Sequence, residues 1–106
     1  MSEPHVYLYA EYQVSIPFDQ IDWEPINVAM KAFPGLLSKT WLSGINTYSV
    51  GGFYAFDTLA NAQNYIDGLL LPFAAKVNGN LSARLFDADA TREASIGMST
   101  PFFAAK

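Results

Sequence analysis

Between His5 and Val14 the side chains alternate in a way that leaves neither face of the segment suited to water. Leu8, Ala10, Tyr12 and Val14 fall on one side, and Tyr7, Tyr9, Glu11 and Gln13 on the other. A period of two marks a β-strand. The first side is apolar throughout except for one phenolic hydroxyl, and the second carries two tyrosines beside its polar groups. A strand of this kind needs cover on both sides. One layer of helices supplies one cover, and something else must supply the second.

The rest of the chain shows what the first cover is. Ile16-Pro17-Phe18 ends the strand, and residues 19–33 carry a helical pattern through Ile21, Ile26, Val28, Ala29 and Phe33. Pro25 fits that helix if Asp22 is its N-cap, because a proline in the first turn lacks only an N–H that has no partner there. Asp19 to Asp22 is then a lead-in turn, with Trp23 packed beneath it. Pro34-Gly35 stops the helix. Leu36–Ser43 and Val50–Phe56 read as two strands of an antiparallel hairpin, joined by the polar stretch from Gly44 to Ser49. With Ser43 opposite Val50, the pairs Trp41–Gly52, Lys39–Tyr54 and Leu37–Phe56 share one face. Gly51-Gly52 lets a large side chain such as Trp41 pack against the backbone. Asp57 or Thr58 caps a second helix with the stripe Leu59, Ala62, Ile66, Leu69, Leu70 and Phe73, and Pro72 ends it. Asn78-Gly79-Asn80 makes a turn, and Leu81–Ala88 is a fourth strand with Ser82, Arg84 and Phe86 on one side. Residues 89–106 form a tail whose Met98, Phe102 and Phe103 call for an anchor, expected on a partner chain.

The order β-α-β-β-α-β is that of a ferredoxin-like α+β sandwich. Its 106 residues make a single domain, 1–106. Composition bears on the uncovered face: 51% of residues are hydrophobic and only 15% charged, against roughly 25% charged in an ordinary soluble domain. Such a surface is sparse for a small monomer, and cover of the bare face by a second copy of the domain is the economical answer. The net charge is −4 and the six basic residues are scattered, which argues against nucleic acid and anionic membranes as partners. Cysteine is absent, so thiolate chemistry and disulfides do not arise. No signal peptide is evident, and the longest apolar run, Leu69 to Ala75, is too short to span a bilayer. A cytoplasmic location is expected.

Within this frame, Pro34-Gly35-Leu36-Leu37-Ser38-Lys39-Thr40-Trp41 resembles the Pro-Gly-Phe-Leu-x-Lys-x-Trp signature of the YdhR-type mono-oxygenase family. Gly51-Gly52-Phe53-Tyr54-Ala55-Phe56 is similar to that family's Gly-Gly-Ile-Tyr-x-Phe strand, and Ala83-Arg84-Leu85-Phe86-Asp87 resembles its closing strand. The resemblance covers about the last two-thirds of the chain. It implies a dimeric α+β barrel, a homodimer, and kinship with enzymes that oxidise polycyclic phenols to quinones with molecular oxygen and neither metal nor flavin. Fold kinship alone does not fix an activity.

A ligand is expected on the face shared by Lys39, Trp41 and Tyr54, in the barrel lumen, joined by Tyr9, Glu11 and Arg84, with Phe56 and Phe86 extending the walls. Aromatic walls with a few convergent ionisable groups are what small-molecule sites look like. Glu11, or Lys39 with its pKa lowered by burial, takes the phenol proton, while Arg84 and Tyr54 hold the phenolate and the developing peroxide. Plainer roles compete. Trp41 can be core, Lys39 can snorkel from an edge strand, and Glu11 and Arg84 can form a structural ion pair. His5, the single histidine, suits the surface better than a metal or haem. Three function classes follow: a cofactor-independent mono-oxygenase acting on an aromatic, phenol-like molecule, a non-catalytic binder of an apolar small molecule, or a structural dimer. Haem handling is a more remote fourth.

Overall fold

The computed structural model describes residues 3–76 and 80–103. The turn expected at Asn78-Gly79-Asn80 lies largely outside the described residues. Four strands, β1 (Val6–Gln13), β2 (Leu36–Ser43), β3 (Ser49–Phe56) and β4 (Ser82–Asp87), form one open antiparallel sheet in the order β2-β3-β1-β4. This is an α+β sandwich of the ferredoxin-like kind, with the helices interspersed between the strands. β1 and β3 are central because they carry the residues most completely removed from water: Leu8, Tyr54 and Phe56 are all at most 1% exposed. β2 and β4 take the edges, and most of their residues are exposed.

The hairpin register follows the alternation. Lys39 is opposite Tyr54, Trp41 opposite Gly52 and Ser43 opposite Val50. Leu37 departs from it. A bulge between Leu36 and Ser38 sets Leu36, not Leu37, opposite Phe56. Leu37 is the extra residue and is exposed; a bulge adds one residue to one strand of a pair and occurs most often at sheet edges.

Helix α1 spans Trp23–Lys31, preceded by a 3-10 turn at Phe18–Gln20. Asp22 occupies the N-cap and Pro25 the first turn, as the pattern required, although the Asp22 carboxylate makes no capping hydrogen bond. Trp23 is not packed beneath the lead-in: it is 43% exposed, at the first position of the helix, before Ile26 and Met30, which pack on the core. Gly35 has φ +81, a conformation that suits glycine, and its carbonyl accepts from the Asp57 N–H at 3.0 Å.

The second helical run differs from a simple amphipathic helix. Thr58 caps α2 (Leu59–Tyr65), accepting from the Asn61 N–H at 3.1 Å. A π-helical segment follows at Ile66–Leu70, where the Leu71 N–H donates to the Ile66 carbonyl five residues back. Helix α3 (Leu71–Lys76) completes the run. Pro72 therefore does not end the helix. A proline inside an α-helix lacks an N–H and collides with the carbonyl four residues earlier; here the wide π turn lies just before it and leaves room for its ring. One face of the run buries Ala62, Tyr65, Ile66 and Leu70 against Leu8, Tyr54 and Phe56. The rings of Tyr54, Phe56 and Tyr65 meet pairwise at 5.1 to 6.3 Å, and each such pair adds about 0.5–1.5 kcal/mol beyond area burial.

The C-terminal segment is not a simple tail. It forms α4 (Arg92–Gly97) and then returns. Phe102 packs on Tyr7 at 5.4 Å and on Phe53 at 5.7 Å, on the side of the sheet away from α1 and α2. Phe103 is buried, with the Arg92 guanidinium over its ring at 5.1 Å. Arg92 also pairs with Glu3 at 2.9 Å, and His5 with Asp89 at 2.7 Å, tying the two ends of the chain together. Within the chain itself Phe102 finds cover on the sheet and Phe103 is buried beside Arg92, while Met98 is 83% exposed.

Candidate functional site

Strand alternation divides the eight expected site residues between the two sides of the sheet. Lys39, Trp41, Tyr54 and Phe56 share a side with Leu8 and Ala10, and that side faces α1 and α2. Tyr9, Glu11, Arg84 and Phe86 lie on the opposite side. The two groups cannot meet on one ligand within a single chain, which corrects the expectation of one shared lumen. The reason is physical: where both faces of a strand are apolar, periodicity says which residues go together but not which set receives the helices.

Beneath the helices, a cavity of about 260 Å³ has Lys39 and Tyr54 from the hairpin, Tyr12 from β1, and Met30 with Ile26 from α1 among its walls. Leu69 and Leu70 of the π-helical segment, with Phe73 of α3, close it from the other side. An adjoining recess of about 300 Å³ shares Tyr12, Ile26 and Phe73 as walls, and adds Trp41, Gln20 and Asp22. A larger recess of about 350 Å³ lies at the far end of the sheet around Glu11, Thr47, Ser49 and Ser82. It is a broad polar depression. The apolar cavity with an amine in its wall is the better site for small-molecule chemistry.

The amine is placed by an absence. Nothing but hydrogen stands above the Gly52 Cα, and the Lys39 stem with the Tyr54 ring fills that space: a Cβ at position 52 would come within 2.5 Å of Lys39 Cε and 3.0 Å of the Tyr54 ring. The stem crosses there and sets Nζ over the Trp41 ring, 3.2 Å from its centroid, and 4.9 Å from that of Tyr54. Nζ also donates to Met30 Sδ at 3.3 Å. Trp41 is itself fixed, donating from Nε1 to Asn27 Oδ1 at 2.9 Å and packing against Phe18 at 5.3 Å. Gly52 thus serves the lysine more than the tryptophan expected there.

Burial pushes the Lys39 pKa down to about 7, and among the described residues it forms no salt bridge that would restore it. The ring faces of Trp41 and Tyr54 hold whatever cation forms. Burial pushes Tyr54 up to about 12, so its hydroxyl stays protonated at neutral pH. Tyr65, fully buried behind it, is shifted upward by burial and by Tyr54. Among the described residues its Oη meets no partner in good hydrogen-bonding geometry, while the Tyr54 hydroxyl lies close enough that both its charge and hydrogen bonding with it contribute to the upward shift.

On the other side of the sheet, Tyr9 donates to Glu11 at 2.6 Å, which with a hydrogen bond from Ser49 holds the Glu11 carboxyl below its usual range and raises Tyr9. Arg84 sits opposite Tyr9 and is exposed, and among the described residues it forms no salt bridge with Glu11. Phe86 stands opposite Tyr7 and is 48% exposed. His5 lies at the surface. Among the described residues no three His, Cys, Asp or Glu side chains gather to hold a metal ion, and no helix is long and apolar enough to cross a membrane.

The lysine with its aromatic neighbours was visible in the sequence. Met30, Leu69, Leu70 and Phe73 as walls were not: helical periodicity marks the last three only as core, and Met30 stands outside the expected apolar stripe of the first helix. No curated protein matches the chain. A family model described as "Putative mono-oxygenase ydhR" does, over residues 11–95. That span runs from within β1 into α4 and includes both halves of the cavity, and the chain belongs to the ydhR family.

Proposed function

We propose that the chain is a cofactor-independent mono-oxygenase of an aromatic, phenol-like molecule held between the sheet and its helices. The observation that carries this reading is Lys39: an amine poised near neutrality in the wall of an apolar cavity, between the faces of two aromatic rings. Unprotonated, it accepts the phenol proton. The ammonium then formed lies against the Trp41 ring and faces the phenolate, an electron-rich donor to oxygen. The Tyr54 hydroxyl, which stays protonated, is a hydrogen-bond donor for the charge that develops on oxygen. The apolar walls exclude water and hold a flat ring in place.

Tyr9, Glu11, Arg84 and Phe86 then serve a different purpose. Together with Tyr7 and Phe53 they form the sheet's second face, on which a second copy would close a dimeric barrel. We take the working form to be a cytoplasmic homodimer. The family membership and the sparse charge support that reading.

Oxygen uptake by metal-free protein with a panel of anthrols and hydroquinones tests the activity. The rate should rise with pH through about 7 as Lys39 loses its proton, and fall at least tenfold in Lys39→Met and in Tyr54→Phe. No uptake across the panel would leave the alternative that the cavity binds an apolar ligand without turning it over.

A further inference from the structure

The same amine has a second chemistry open to it that uses no oxygen. A lysine becomes a nucleophile toward carbonyl carbon when it is desolvated and has no carboxylate to hold its proton. The walls of the cavity show that environment. Within the cavity the titratable groups beside Lys39 are the phenols Tyr12 from β1 and Tyr54 from β3, and α1, the π-helical segment and α3 bring only apolar side chains, Met30 among them; a recess of about 200 Å³ that Lys39 also lines adds Asn27 and Lys31 from α1, with no carboxylate among its wall residues. In the adjoining recess of about 300 Å³ Asp22 is the one carboxylate among the wall residues, at the start of α1.

We propose that Lys39 captures apolar aryl aldehydes as a covalent imine within this cavity. The Nζ lone pair attacks the carbonyl carbon, and a C–N bond forms as the C=O electrons move to oxygen. The carbinolamine loses water, its oxygen leaving with both protons of the amine, and a C=N bond remains. Nothing is oxidised or reduced. Three features of the geometry favour this product. The cavity, about 260 Å³, has room for a single substituted ring. Its walls are aliphatic and aromatic, so the aldehyde most at home there is apolar. The imine then takes a proton from solvent at the same nitrogen, which in the free amine stands 3.2 Å from the Trp41 centroid, so a cation–π contact is open to the product as well.

The low proton affinity of the amine agrees with this placement. At neutral pH an ordinary lysine is about 0.04% unprotonated, whereas an amine titrating near 7 is about half so. Even with the lower intrinsic nucleophilicity of a weaker base, Lys39 should outrun the exposed Lys31 and Lys76 by tenfold or more.

The aryl aldehyde 4-methylbenzaldehyde with sodium cyanoborohydride, which reduces imines to stable amines, reads this out by peptide mapping at pH 7. Lys39 should carry the adduct at least tenfold more than Lys31 or Lys76, and should carry none when glyoxylate, a charged aldehyde, replaces the aryl aldehyde. Lys39→Met, of nearly equal volume, should remove the preferred adduct and leave the slow background. Adducts spread evenly over the lysines, confined to the α-amine, or equal with both aldehydes would overturn the proposal. Peptide mapping of the unaltered protein decides the matter by itself if the variant does not fold.

Discussion

Lys39 shows how a single side chain can set a pH dependence for the whole fold. Its pKa is about 7 in the folded chain against an ordinary value of 10.5. Between those values the unfolded chain binds more protons than the folded one, so stability rises with pH across that window. Below about 7 the burden of a buried ammonium is present in full, and above 10.5 it vanishes. Lys39→Met should therefore be more stable than the parent by about 1–3 kcal/mol at pH 6, with the gap closing as pH climbs through the window. Urea unfolding at several pH values checks this, and a gap that does not change with pH would refute it. The residue was legible in the sequence as an amine on an aromatic strand face. Its stem running over Gly52 was not, because alternation assigns a side and says nothing of which neighbour occupies the space over a glycine.

At the scale of elements, the hairpin was readable almost to the residue. Ser43–Val50, Trp41–Gly52 and Lys39–Tyr54 pair as alternation demands. Reading failed where an element departs from its own period. The bulge at Leu37 adds a residue that no polarity pattern marks, and the π-helical segment keeps an amphipathic stripe while changing the turn beneath it. Helix α4 was missed because six residues with few large apolar side chains carry almost no periodic signal. The contact between β2 and β3 yields a sharp expectation. Gly52→Ala puts a methyl where Lys39 Cε and the Tyr54 ring now lie, so it should cost about 1–3 kcal/mol. It should also move the Lys39 titration, followed by NMR at its Nζ, upward as the stem is forced toward solvent. A variant with unchanged stability and an unmoved titration would show that the space can be shared.

For the molecule as a whole, the sheet's two sides have different fates. One is packed under α1 and α2. The other carries Tyr7, Tyr9, Phe53 and Phe86, and receives from its own chain the ring of Phe102. The proposed homodimer belongs to this second side. Light scattering after size exclusion should give twice the 11.7 kDa of the chain, and Phe86→Glu, which places a carboxylate on that face, should weaken association at least tenfold while leaving the cavity intact. A parent protein of single-chain mass at high concentration would exclude the pairing. The need for a second cover was readable from Leu8 and Tyr9 lying on opposite sides of one strand. That Phe102 takes part of that place was not, since nothing in the tail's spacing says where it folds back.

The π-helical segment between Tyr65 and Leu71 carries a consequence for how the cavity came to have its size. Closing a turn over five residues instead of four amounts to one residue of surplus in the run. Removing that surplus, by deleting Gly68 and replacing Pro72 with alanine so that an α-helix can pass, would turn everything after it by about 100°. Phe73 would swing away from Tyr12, against whose ring it now stands at 5.5 Å, and the wall it provides would go with it. Ligand capacity would then hinge on a single-codon insertion or deletion, so relatives of this chain that differ in length by one residue here should differ in what they can hold, even with Lys39, Trp41 and Tyr54 unchanged.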